Sequence, residues 1–207
     1  MHRPGGLWHG DAVTASEARG QDWGGQDLSG QRHDGVLFVD VDLSEVVATG
    51  ASFSDCTFRG VRFNVAAFEQ CAFTGCSFVR CNFFDARFTD CKLVGSRFDG
   101  CSLDLLTASG GDWSFVGLAG ADLRKASLTA LRLREADVSG ARLQGGTLTG
   151  CDLSGAAWQK ADLTGCDLRG SDLSSLDPMT VRLQGAVIDV QQALLVATAL
   201  GLDIRPD

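Results

Sequence analysis

The sequence predicts an all-β solenoid of square coils stacked in parallel, with a short α-helix at its C-terminal end. Three features carry that expectation. From Trp23 onward every fifth residue is large and apolar, running through Leu28, Phe38, Leu43 and Phe53 to Phe98, then Leu103, Leu118 to Leu173, Leu183 and Ile188. The series changes residue type at His33, Ala48, Ala108 and Pro178 but never loses phase. A second series of small residues lies two positions earlier, including Ala51, Cys56, Ala66, Cys71, Cys76, Cys81 and Ala86. Finally, composition follows register: all four Trp and ten of the twelve Phe fall in the first series, and all eight Cys in the second.

A period of five matches neither an α-helix nor a flat strand, whose side chains repeat every 3.6 and 2 residues. It matches a chain that turns a corner after each short extended segment. Four such segments close one coil of about twenty residues, and coils stack at about the 4.8 Å spacing of paired strands. Both apolar series then point inward, and each coil is buried only by its neighbours. Phe dominates the central register from 53 to 98 and Leu after 103, which implies a wider N-terminal half and a tighter C-terminal one.

Taken in order, residues 1–20 are Gly-rich and polar and are expected to form a loose arm or a frayed first coil. Residues 21–188 form the solenoid, about eight coils and so about 40 Å long. Its weakest stretch is Leu105 to Asp112, where Ala108 and Gly111 replace the usual residues and a bulge or groove is expected. Pro178 interrupts the series near the end, as expected of a residue that lacks a ladder donor. Residues 189–207 change pattern and read as a capping or dimerisation helix and tail, with Asp189 as N-cap and Gly201 as the stop. Val190, Ala193, Leu194, Ala197 and Leu200 make its apolar face. That face can lid the open end of the solenoid, which would otherwise expose a sheet edge. With Leu195 and Val196 beside it, the helix carries more apolar surface than a lid needs, so a homodimer contact is expected there.

Composition excludes several classes of function. The 207 residues carry a net charge of −8, and no basic stripe for nucleic acid stands out. The cysteines lack C-x-x-C or Cys/His ligand spacing, so they read as reduced, buried small hydrophobes, with no metal or cofactor. Reduced thiols, no apolar signal core in residues 1–20 and no membrane-length apolar run point to the cytoplasm. His2, His9 and His33 are isolated, and no nucleophile-elbow, zinc-protease or phosphate-loop motif is present, so no catalytic site is expected. The remaining surface chemistry is acidic. Eleven Asp directly precede a central residue, a position where a short acceptor bonds the corner backbone. Asp152, Asp162, Asp167, Asp172 and Asp177 crowd the last coils and with Asp122 would ring one half of the rod, though Arg142, Lys160, Arg169 and Arg182 interrupt the ring and keep it from being a uniform patch. Two such rods joined at their helices would measure about 80 Å, the length of roughly 24 base pairs of B-DNA, so an acidic dimer could occupy a basic DNA channel.

The repeat reads A-[D/N]-L-x-x with a Phe variant, clearest at Ala121-Asp122-Leu123, Ala161-Asp162-Leu163, Cys166-Asp167-Leu168 and Cys81-Asn82-Phe83. It resembles the pentapeptide-repeat family, which implies a right-handed quadrilateral parallel β-helix over residues 21–188. The loop-free register, Asp177-Pro178 and the tail from Leu183-Gln184-Gly185 through Gln191-Gln192-Ala193 to Ala199-Leu200-Gly201-Leu202 are similar to the quinolone-resistance proteins of the Qnr and MfpA type, in particular the MfpA-like actinobacterial ones. That resemblance implies a DNA mimic that binds DNA gyrase, or topoisomerase IV, and inhibits it or protects it from fluoroquinolones and other poisons. The six acids would then form the gyrase-binding surface. The alternatives are a pentapeptide scaffold for another protein and a self-resistance factor in a producer of a gyrase-targeting natural product.

Overall fold

The computed structural model describes residues 17–205. The arm expected at residues 1–20 lies outside this range except for its last four residues. Of those, Glu17–Arg19 already form a strand paired with Leu37–Val39. From there most rungs pair in parallel with the one twenty residues on, as far as Asp167 with Val187. A coil is therefore four segments of five residues, and the solenoid has four faces.

Face A stacks Glu17–Arg19, Leu37–Val39, Thr57–Arg59, Ser77–Val79 and Arg97–Asp99. Face B is held by single bridges through Asp22, Asp42, Arg62, Asn82 and Ser102, and again through Asp122, Arg142, Asp162 and Arg182. Face C is the longest sheet, six strands from Val47–Thr49 to Thr147–Thr149. Face D stacks Arg32–Asp34, Ser52–Ser54 and Ala72–Thr74 and continues through bridges at Lys92, Asp112, Arg132 and Asp152.

Inside, like residues lie over like. The rings of Phe38 and Phe58, Phe53 and Phe73, and Phe63 and Phe83 stack with centroids 4.7, 4.7 and 4.6 Å apart. Between faces the rings meet edge-on, as Phe68 meets Phe73 at 5.1 Å. Both geometries suit the ring quadrupole. The small slot has its own chemistry. The thiols of Cys71, Cys76 and Cys81 donate to the carbonyls of Ala48, Phe53 and Phe58 in the coil below, each at 3.3 Å. Ser96 and Ser171 make the same bond with hydroxyls, at 2.7 and 2.8 Å. All eight cysteines are free thiols, and burial pushes Cys166 up to about 12. His33 is a buried filler stacked on Phe53 at 4.9 Å, and burial lowers its pKa.

The groove expected at Leu105 to Asp112 is absent. Thr107–Ser109 is an ordinary strand, in register with Arg87–Thr89 and Ser127–Thr129. Ala108 is buried over Phe88, whose ring meets Trp113 edge-on, so a large indole on the next face makes up for the small side chain. Gly111 sits at φ +87° against the Cys91 carbonyl, where a β-carbon would collide with that oxygen. The irregularity is elsewhere. On face B no backbone hydrogen bond joins 101–105 to 121–125 among the described residues, and only the Lys125–Asp104 pair at 3.4 Å spans that gap. Near the end, Pro178 shifts the ladder: Lys160 N–H donates to the Thr180 carbonyl, one residue beyond the usual partner.

The C-terminal helix spans Val190–Ala199, with a capping box in which Asp189 accepts from the Gln192 N–H at 3.0 Å and Gln192 accepts from the Asp189 N–H at 2.8 Å. Gly201 follows at φ +81°. The helix closes the rod with a polar side chain. Buried Gln192 donates to the Leu168 and Ser171 carbonyls at 2.6 and 2.7 Å, and Asp189 accepts from the Gly170 N–H at 3.0 Å. The expected apolar lid is therefore not what seals the end. Val190, Leu194 and Leu200 remain exposed.

Stacked Phe rings in a close-packed column tolerate no charge. Phe73→Asp is expected to abolish folded, soluble protein, whereas Phe73→Ala should cost about 3–5 kcal/mol in urea denaturation followed by circular dichroism.

Candidate interaction surface

The Asp that precedes each central residue builds the corner. All eleven accept the backbone N–H two residues on; Asp42 to Ser44, Asp137 to Ser139 and Asp172 to Ser174 span 2.9, 3.0 and 2.8 Å. Asn82 does the same for Phe84 at 3.0 Å. One carboxylate oxygen is thereby committed to the fold, and the second is free to meet a cation.

For most of the six acids in the last coils, that cation is in the chain itself. Asp122 pairs with Arg124 at 2.7 Å and with Arg142 at 2.8 Å, which holds its carboxyl down at about 2. Asp152 pairs with Arg134 at 2.6 Å, Asp162 with Arg182 at 3.4 Å and Asp167 with Arg169 at 2.7 Å. Asp172 and Asp177 have no ion-pair partner among the described residues. The six do not converge on one patch. Asp122 and Asp162 lie in one column of face B with Arg142 between them, Asp152 and Asp172 on face D, Asp167 on face C and Asp177 at the end of face A. Two of these partners, Arg142 and Arg182, could be read once the coil length is known, because Asp122–Arg142 and Asp162–Arg182 are each twenty residues apart, as are Asp42–Arg62 and Asp112–Arg132 in other coils.

The five residues assigned to dimerisation fall on one exposed flank of the helix, except Ala197, which is half-buried. Leu195 joins them at 47 % exposure, and Leu202 and Ile204 extend the apolar surface into the tail. A shallow open depression bounded by Ser174, Gln191, Leu194, Leu195, Thr198 and Ala199 lies beside them. No group of three or more metal-ligating side chains occurs among the described residues, and no described helix is long and apolar enough to cross a membrane.

Two pentapeptide-repeat family models match the chain, one over residues 34–92 and the other over 117–150 and 148–177, together more than half of its length. The chain belongs to the pentapeptide-repeat family. Its architecture is of the Qnr type. It superposes on a trypsin-treated variant of QnrB1, a plasmid-mediated fluoroquinolone resistance protein, with a TM-score of 0.71 and 26 % identity, covering 91 % of this chain and 97 % of that one. Full-length QnrB1 gives 0.70 and 25 %, covering 90 % of this chain and all of that one. No curated protein matches in sequence.

The ion pairs imply a pH dependence. Asp42 and Asp122 are held at about 2 by hydrogen bonds from Arg62 and Arg124, below the usual 3.8. A depressed folded-state pKa stabilises above the unfolded value and is lost as pH falls through the folded one. Resistance to urea should therefore fall between about pH 4 and pH 2. Asp122→Asn, which keeps the corner acceptor and removes the charge, should flatten that fall.

Proposed function

We propose that this protein binds DNA gyrase as a DNA-shaped rod and inhibits it or shields it from fluoroquinolones, with topoisomerase IV a second target. The single observation that supports this most is the match to QnrB1 over nearly the whole length of both chains. A homodimer joined at the apolar flank of the C-terminal helix would be about 80 Å long, close to a DNA segment of roughly 24 base pairs. Sealing the rod with Gln192 leaves Val190, Leu194 and Leu200 available for that contact.

A second reading, a scaffold for a different protein, is favoured by one observation. Asp122, Asp152, Asp162 and Asp167 are all ion-paired, so the C-terminal coils present less bare negative charge than their sequence implies.

Purified protein is expected to inhibit gyrase supercoiling or to relieve quinolone inhibition, and to leave topoisomerase I unaffected. No effect at a large molar excess over gyrase sinks the proposal and leaves the scaffold reading. Leu194→Glu should convert the dimer to a monomer in light scattering while keeping the circular dichroism spectrum. A dimer that survives this change rules out the helix contact. Charge reversal at unpaired Asp172 and Asp177 should weaken gyrase binding more than reversal at ion-paired Asp162 and Asp167.

A further inference from the structure

One edge of the rod, where faces B and C meet, carries exposed large apolar side chains on four successive coils, Val65, Phe84 and Leu105 at the corner itself and Val47 at the start of the first strand of face C. Val47, Val65, Phe84 and Leu105 are 51, 45, 41 and 43 % exposed. They follow one another up the edge: the Val65 N–H donates to the Phe84 carbonyl at 2.8 Å, and Val65 and Leu105 occupy equivalent corner positions two coils apart. None of the four contributes to the core.

Two of them are also costly to the backbone. Among the described residues, thirteen other than glycine hold positive φ at corners, and only Val65, Leu105 and Phe115 of these are large and apolar. Val65 and Leu105 both sit at φ +60°, a region that bulky and β-branched residues avoid. Solvent exposure and backbone conformation both favour glycine or a polar residue at these corners, as at most others. Strain kept at an exposed site points to a use for the side chain.

The charges around the edge define the partner. In its four coils, faces B and C hold Asp42, Glu45, Glu69, Asp85, Asp90 and Asp104 against Arg62 and Arg87. Arg62 is bound to Asp42 at 2.6 Å, Arg87 to Asp85 at 2.9 Å, and Lys125 of the next coil to Asp104 at 3.4 Å. Glu45, Glu69 and Asp90 have no ion-pair partner among the described residues. An apolar ridge set among unpaired acids disfavours nucleic acid and anionic lipid, and it disfavours a second copy pairing ridge to ridge. It fits a basic protein surface that contains an apolar recess.

We propose that this ridge is the apolar anchor by which the rod seats on its protein partner. The inference rests on the gyrase reading above and deepens it: contact with gyrase is then more than charge mimicry.

The test measures binding of the full-length protein to gyrase at roughly 0.1 M and 0.5 M salt. The combined variant Val65→Gly, Phe84→Ser, Leu105→Gly should lose at least about tenfold in affinity at both concentrations. Its melting temperature should not fall, since glycine relieves both corners. Glu45→Gln, Glu69→Gln, Asp90→Asn should instead reduce the salt dependence. If the ridge variant binds as tightly as wild type, the anchor is refuted and the gyrase reading stands. If wild type fails to bind gyrase at either concentration, that reading falls and this one with it. Self-association of Leu194→Glu protein that disappears with the ridge variant would assign the ridge to a second copy and overturn the proposal.

Discussion

Parallel pairing between residues twenty apart forces each side chain to lie over its counterpart in the next coil. The spacing is set by backbone hydrogen bonds, about 4.8 Å, and the side chains must accept it. Phenyl rings do: stacked pairs in the column lie 4.6–5.2 Å apart. The same constraint makes the second inward slot small, because a corner leaves little room. It also explains why Cys and Ser share that slot, since both can donate to the carbonyl below. Packing and hydrogen bonding therefore depend on one repeat distance, and each coil's core is completed by its neighbours.

Turning four corners per coil imposes a backbone demand and an electrostatic one. Positive φ recurs at nearly every fifth residue, which accounts for most of the glycines. An Asp at eleven of the rungs satisfies a corner N–H, so acidity accumulates along the rod as a by-product of folding. Arginines twenty residues away, or two, then return much of that charge to neutrality. Net charge alone is a poor guide to which face meets a partner; the unpaired carboxylates are more telling, and many of them lie in the N-terminal coils.

The period, the inward registers, the corner role of Asp and the capped helix at Asp189 were all legible, because each depends on local spacing in the chain. Three features were not. Gln192 reads as a polar gap in an amphipathic helix, and its two bonds to Leu168 and Ser171 depend on how the helix docks. The small residues at Ala108 and Gly111 suggested a defect, yet Trp113 and the close approach to Cys91 make that rung regular. The acids of the last coils read as a ring interrupted by Arg142, Lys160, Arg169 and Arg182; coil spacing aligns Asp122 with Arg142 and Asp162 with Arg182, whereas the Arg134–Asp152 pair, eighteen residues apart, depends on rotamers that spacing does not set.

The unpaired rung between 101–105 and 121–125 falls where the Phe-rich stack gives way to the Leu-rich one. Faces A, C and D stay hydrogen-bonded across the same junction, so one rung of four is open and the two stretches remain coupled. Backbone amides at the open rung, Leu103 and Asp122 among them, should exchange through local opening ahead of their neighbours on the paired faces.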